Sequence, residues 1–244
     1  MKKIIAANWK MTLKKDNLTP LVEVVKKADL TKVEMIICPS FTHLSETAAL
    51  IKNQKISLGA QDCFWEEKGA YTGEISAWDL KNEGCQYVLI GHSERRRYFA
   101  ETDEIINKKL LAALASGLVP ILCVGETKAE KDAGQTLGRV AEQVKKDLIG
   151  VTVKAGQIII AYEPVWAIGT GDSCSPEIAF EVHSLIKQEV KTAVGIDNIA
   201  VLYGGSVDEK NVADFLRQSV IDGVLVGGAS TKVEAFSKLL ANSI

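Results

Sequence analysis

The chain has no apolar run long enough to cross a bilayer; its hydrophobic stretches are strand-sized. It also lacks charge of one sign. Twenty-nine Lys and Arg stand against 31 Asp and Glu, a net charge of −2, so no bulk basic field draws nucleic acid or an anionic membrane. Its five cysteines, Cys38, Cys63, Cys85, Cys123 and Cys174, are scattered and odd in number, which favours reduced thiols over a disulfide framework. Of the histidines, His43 has no metal-ligand partner at i+4, and no metal site is expected. Nothing resembling a linker, a low-complexity tract or a shift in composition divides the chain, so one domain spanning 1–244 is expected. The start, Met1 to Ala6, runs straight into a strand pattern and then Asn8, with no leader core and no cleavage pattern; the expected location is cytoplasmic.

What is present is a repeat. Eight short apolar, β-branched runs are each followed by a polar loop and a segment with helical periodicity: Ile4–Trp9, Val33–Pro39, Ile56–Gln61, Tyr87–Ile90, Leu118–Val124, Gln157–Tyr162, Ile199–Tyr203 and Ile221–Val226. The spacing is about 30 residues, the size of a βα unit. The pattern predicts an α/β protein built as a single-domain (β/α)8 barrel. A doubly wound open sheet is the rival, because counting strands does not prove closure.

In a barrel, chemistry gathers at the C-terminal ends of the strands. The first run ends in Asn8-Trp9-Lys10-Met11, placing a cation at the mouth, although a lysine there can equally lie along the surface. The fourth ends in Gly91-His92-Ser93-Glu94-Arg95-Arg96. His92 stands just ahead of a helix start, where backbone N–H groups disfavour an imidazolium. Glu94 and the arginines beside it read as a supporting ion-pair layer. The fifth run ends in Cys123-Val124-Gly125-Glu126, with Cys123 read as packing beside the site and not as a nucleophile.

The sixth run stops at Glu163. Pro164 breaks the strand, a loop with Trp166 and two glycines follows, and Ser175-Pro176 is set up to cap the next helix. An acid at a strand end beside a closable loop is placed as a general base under a lid, the alternative being a solvated structural charge. Gly169-Thr170-Gly171 does not complete a dinucleotide fingerprint, because Cys174 stands where the third glycine belongs. The seventh and eighth runs end in Tyr203-Gly204-Gly205-Ser206 and Val226-Gly227-Gly228-Ala229-Ser230, matching the glycine-rich phosphate cradle that many barrels carry there. The loop 62–76 is long for a compact domain and carries Phe64, Trp65 and Tyr71, aromatics expected to be exposed for insertion into a partner; folding back on its own barrel is the other reading.

These segments, in this order and spacing and covering the chain from Lys2 to its last helix, resemble the triosephosphate isomerase family. The resemblance implies interconversion of dihydroxyacetone phosphate and D-glyceraldehyde 3-phosphate through an enediolate, a step of glycolysis and gluconeogenesis, with no cofactor. It implies that Glu163 is the base, His92 the neutral electrophile, and Lys10 a cation that holds substrate and offsets developing charge. Asn8 would position nearby oxygens, with Glu94 and Cys123 behind these groups. Gly169, Ser206, Gly227 and Gly228 would bind phosphate, and Pro164 to about Cys174 would be the lid, with Trp166 and Ile168 as its apolar cover. A homodimer through loop 62–76 is implied, Thr72 reaching the partner's Lys10 region. The chain departs from the common family pattern at Asp62, at Thr231 and at the hinge Asp172-Ser173-Cys174, whose change is expected to alter opening and closing more than chemistry. Two other functions stay open at this point: another phosphate-binding barrel enzyme, acting on a phosphosugar or an indole-type phosphate, and a catalytically silent barrel used as a binding protein.

Overall fold

A computed structural model describes residues 2–169 and 173–243. Strand and helix alternate along it: β1 (Lys3–Asn8), α1 (Leu18–Lys27), β2 (Val33–Cys38), α2 (Leu44–Leu50), β3 (Ile56–Ala60), α3 (Ala77–Asn82), β4 (Tyr87–Ile90), α4 (Ser93–Tyr98), α5 (Asp103–Ala115), β5 (Val119–Val124), α6 (Lys128–Asp132), α7 (Thr136–Asp147), β6 (Ile159–Tyr162), α8 (Pro176–Val194), β7 (Ala200–Tyr203), α9 (Val212–Arg217), β8 (Gly223–Val226) and α10 (Val233–Asn242). The strands pair in sequence order, and β1 pairs in parallel with β8 as well as with β2, so the sheet closes. That closure excludes the open doubly wound sheet.

Most strands are apolar on both faces, as a parallel sheet covered by helices requires, whereas β3 turns Ser57 and Gly59 inward. One cluster fills the barrel: Ile4 and Ala6, Ile36 and Cys38, Ile121 and Cys123, Ile159 and Ala161. The intervening residues, among them Ile5, Ala7, Leu122, Ile160 and Tyr162, face the helices. The period of two then sets what emerges at the top. Continuing the inward series past the strand ends reaches Asn8 and Lys10 from β1, Glu163 from β6, and Gly204 and Gly227 from β7 and β8.

Helix starts follow local chemistry. Ser175 accepts the Ile178 N–H and Pro176 occupies the first turn of α8, while Thr102 caps α5 and Ser76 caps α3. Gly195 closes α8 in the left-handed conformation.

The loop 62–76 corrects one expectation. Phe64 is buried, 4.0 Å from the Trp65 ring centroid and 4.7 Å from that of Tyr71, so part of the loop's aromatic content packs on itself. Asp62 at its base joins a four-charge cluster. Lys109 Nζ lies 2.7 Å from Asp62 and 2.6 Å from Glu101, and Arg95 lies 2.9 Å from Asp62 and 2.6 Å from Glu101. Burial still pushes the Asp62 carboxyl up to about 6. All five cysteines are buried and free, Cys63 included, with its thiol driven up to about 12 by desolvation.

Candidate active site

A cavity of about 420 Å³ opens at the C-terminal end of the barrel. Its walls bring together Asn8, Lys10, His92, Glu163, Gly169, Ser206, Gly227 and Gly228, residues up to 220 positions apart in sequence. Ile168 lines it as well. Glu94 stands behind Lys10, to which it is ion-paired, and Cys123 lies in the barrel interior beneath. The Cys123 thiol is driven well above its ordinary range, chiefly by desolvation and secondarily by the Glu163 charge, and is inert as a nucleophile. Trp166 does not line the cavity. Its indole N–H donates to Glu126 Oε1 at 2.7 Å, because a buried carboxylate is a better partner for that donor than an apolar wall.

Glu163 is 2% exposed. Its Oε2 accepts the Ser93 N–H at 2.8 Å and its Oε1 lies 3.1 Å from His92 Nε2. His92 is the N-cap of α4, and its Nδ1 accepts the Glu94 N–H at 3.3 Å. An accepting Nδ1 carries no proton, which assigns the neutral tautomer with its hydrogen on Nε2, the ring nitrogen 3.1 Å from Glu163 Oε1. Inward parity alone would place Gly91, not His92, at this point; Gly91 has φ +72°, and the turn it allows re-aims the chain.

Lys10 is held by its backbone. It adopts φ +50°, a region a side-chain-bearing residue enters at a cost. Asn8 Oδ1 accepts the Lys10 N–H at 3.0 Å, and Gln61 Nε2 donates to the Lys10 carbonyl at 2.9 Å and to the Cys38 carbonyl at 2.9 Å. Gln61 thus locks the strained backbone that presents the ammonium. Two glycines make room for the acid: a Cβ on Gly125 would run into the Glu163 carbonyl, and one on Gly204 would come within 3.0 Å of Glu163 Cγ.

Sequence reasoning missed Gln61, Ser93, Gly125 and Glu126. Gln61 had a faint signal, since it continues the inward series of β3; the others have none without the fold. The hinge expectation falls partly outside the description: Thr170, Gly171 and Asp172 are not among the described residues, while Cys174 is buried and donates its backbone N–H to the Tyr203 hydroxyl at 3.1 Å. Thr231, the other departure, donates its hydroxyl to the Gly228 carbonyl at 2.8 Å and leaves the cavity wall intact.

The sequence model of the family described as Triosephosphate isomerase matches residues 3–243. The chain belongs to the triosephosphate isomerase family. Among its relatives in that family, the triosephosphate isomerase of Endomicrobium trichonymphae is 46% identical over 247 residues, covering 99% of this chain and 99% of that protein. The triosephosphate isomerase of Caldanaerobacter subterraneus subsp. tengcongensis is 48% identical over 245 residues, 97% of this chain and 98% of that protein. That of Dictyoglomus turgidum is 48% identical over 241 residues, covering 96% and 97%. Membership of this family makes the chain an isomerase on a closed barrel. Among the described residues, no helix is long and apolar enough to cross a membrane.

Proposed function

We propose that Glu163, His92 and Lys10 carry the reaction in this chain. The protein is a triose-phosphate isomerase, interconverting dihydroxyacetone phosphate and D-glyceraldehyde 3-phosphate, a step of glycolysis and gluconeogenesis. The observation that carries the residue assignment is the meeting of a buried carboxylate, an imidazole with its hydrogen on Nε2 and an ammonium at one cavity, beside two glycine loops.

Glu163 takes a proton from the carbon next to the carbonyl, and the electron pair moves to give an enediolate. Returning the proton to the neighbouring carbon, while the hydroxyl proton passes from one substrate oxygen to the other beside His92 Nε2, completes the isomerisation, so one base serves both directions. Glu163 Oε2 is held by the Ser93 N–H and Oε1 lies against His92 Nε2, so the carboxylate must turn towards the cavity to reach a carbon-bound proton. That turn also frees His92 Nε2–H for the substrate oxygens. Charge building on oxygen is met by Nε2–H once Glu163 has turned, by the Lys10 ammonium and by Asn8, all of which already line the cavity. A unit charge about 4 Å from the ammonium gains roughly 4 kcal/mol at an effective dielectric near 20. Realised only in the transition state, that is on the order of a thousandfold in rate.

The phosphate is assigned to the backbone N–H groups of Gly169, Ser206, Gly227 and Gly228, the absent side chains of the three glycines letting the main chain approach. The segment from Pro164 to Cys174 is assigned as the lid, excluding water so that the enediolate does not expel its phosphate. The scheme uses no metal and no organic cofactor, and 1–244 works as one domain in the cytoplasm. A homodimer is part of the proposal. A second cavity, of about 470 Å³, is lined by Lys10, Met11, Glu94, Tyr98 and Phe99 and could take a partner's loop 62–76, with Thr72 near Lys10. The exposure of Met11 at 96% and of Tyr98 and Phe99 at 65% supports a covered face there.

The test is a coupled assay of chelator-treated protein with glyceraldehyde 3-phosphate, beside Glu163→Ala. Fast turnover lost by orders of magnitude in the variant supports both reaction and base. Full activity in the variant removes Glu163 from its role. A folded, inactive wild type overturns the reading and favours the silent barrel.

A further inference from the structure

We propose that Lys131 is a positioning residue for the active site, acting through Trp166. Its Nζ lies 3.3 Å from the centroid of the Trp166 ring, while Glu126 accepts the indole N–H at 2.7 Å. One side chain is held by its face and by its edge at once.

The two holders come from one short stretch. Glu126 ends the chain's exit from β5, and Thr127 caps α6, its hydroxyl accepting the Glu130 N–H while the Glu130 carboxylate takes the Thr127 N–H at 2.7 Å. That capped helix carries Lys131 in its last turn, five positions beyond Glu126. Trp166 sits in the turn Val165–Ala167 after β6, and the Val165 N–H donates to the Glu126 carbonyl at 3.1 Å. Two and three residues further on, Ile168 and Gly169 form part of the cavity wall. The clamp therefore ties the β5 loop to the piece of chain that shapes the cavity.

The clamped turn has a discrete resting position. Glu126 is 1% exposed and takes hydrogen bonds from Trp166 and from the Tyr162 hydroxyl at 3.2 Å. Moving Trp166 strips a donor from a buried carboxylate and uncovers the ring from Lys131, and both changes cost free energy. An anion that draws the Gly169 N–H inward must work against that cost, so the clamp opposes ligand binding by as much as it favours the resting turn. Removing the ammonium should tighten anion binding by about two- to fivefold, the worth of a cation–ring contact at a half-exposed site. KM should fall by a similar factor with no rise in kcat, because the chemical groups are untouched. The kinetic part rests on the isomerase reading; the clamp itself does not.

The experiment compares wild type, Lys131→Met and Lys131→Arg, each labelled with 5-fluorotryptophan. Methionine keeps the apolar stem and loses the charge. Four tryptophans give four fluorine resonances, and Trp166→Phe assigns the relevant one. The ligand probe is inorganic phosphate. The expected result is a Trp166 resonance displaced in ligand-free Lys131→Met and restored in Lys131→Arg, with tighter phosphate binding and lower KM in the methionine variant alone. An unmoved Trp166 resonance in Lys131→Met overturns the proposal, as does a moved resonance with phosphate affinity and KM both at wild-type values. A wild type that neither isomerises nor binds phosphate defeats the isomerase reading, and the ligand-free Trp166 resonance then decides the clamp by itself.

Discussion

Glu163 Oε1 lies 3.1 Å from His92 Nε2, and the same carboxylate takes the Ser93 N–H at 2.8 Å through its other oxygen. Proposed base and proposed electrophile thus face one another across 71 residues of sequence, both nearly closed off from solvent.

Shortening the base tests its placement. Glu163→Asp withdraws the carboxylate by one methylene, and a displacement of about 1 Å costs roughly a hundredfold. The expected outcome is kcat lower by at least that factor, with KM changed far less and the thermal midpoint nearly unchanged. Wild-type kcat in a correctly folded aspartate variant would remove Glu163 as the base.

Gly125 tests the support behind it. A Cβ there meets the Glu163 carbonyl backbone, which cannot swing aside as a flexible side chain would. Gly125→Ala should lose about 1–3 kcal/mol of stability in urea unfolding and lower kcat through the displaced base. Gly138→Ala, at a helical position where a Cβ meets nothing within 4 Å, is the control and should not lose stability.

His183 sets an acid limit on stability. The ring is fully buried on α8 beside Tyr162, their centroids 6.0 Å apart, and burial pushes its pKa down to about 3, with Lys187 acting in the same direction. Backbone at Val201 and Val220 opposes this only in part. A folded pKa below the unfolded value of about 6.5 means that the neutral ring is the form the fold prefers. Its contribution is whole above pH 6.5 and is lost as pH falls from there towards 3, by up to about 5 kcal/mol in total. His183→Phe should shift the acid-unfolding midpoint, followed by circular dichroism, to lower pH. Coincident curves for variant and wild type would show that this group does not limit acid stability.

Phe99 tests the docking face. Phe99→Glu places a charge on the rim of the second cavity, where a partner loop would bury it unpaired. Sedimentation should give about twice 26.5 kDa for wild type and 26.5 kDa for the variant. A wild type that sediments as a monomer would refute the dimer.

Much of the architecture was legible because strand periodicity is local. The eight apolar runs lie within two residues of the observed strands, and the Ser175-Pro176 cap stands where its chemistry placed it. The ends of those runs also pointed to Asn8, Lys10, His92 and Glu163, which share one cavity. Phe64 was misjudged because an aromatic in a polar loop reads as exposed until its neighbours Trp65 and Tyr71 are seen folding over it.

By itself the sequence determined the order of elements, the inward-facing series on each strand and the set of groups available for chemistry, since each depends on residues a few positions apart. Only the tertiary structure decided which groups meet. Barrel closure through β1 and β8 brings Lys10 to Gly227, Gln61 reaches back to hold the Lys10 carbonyl, and Lys131 lands on the face of Trp166. Those contacts span dozens to hundreds of residues. They exist because eight twisted strands close at one register, a global condition that no local window of sequence contains.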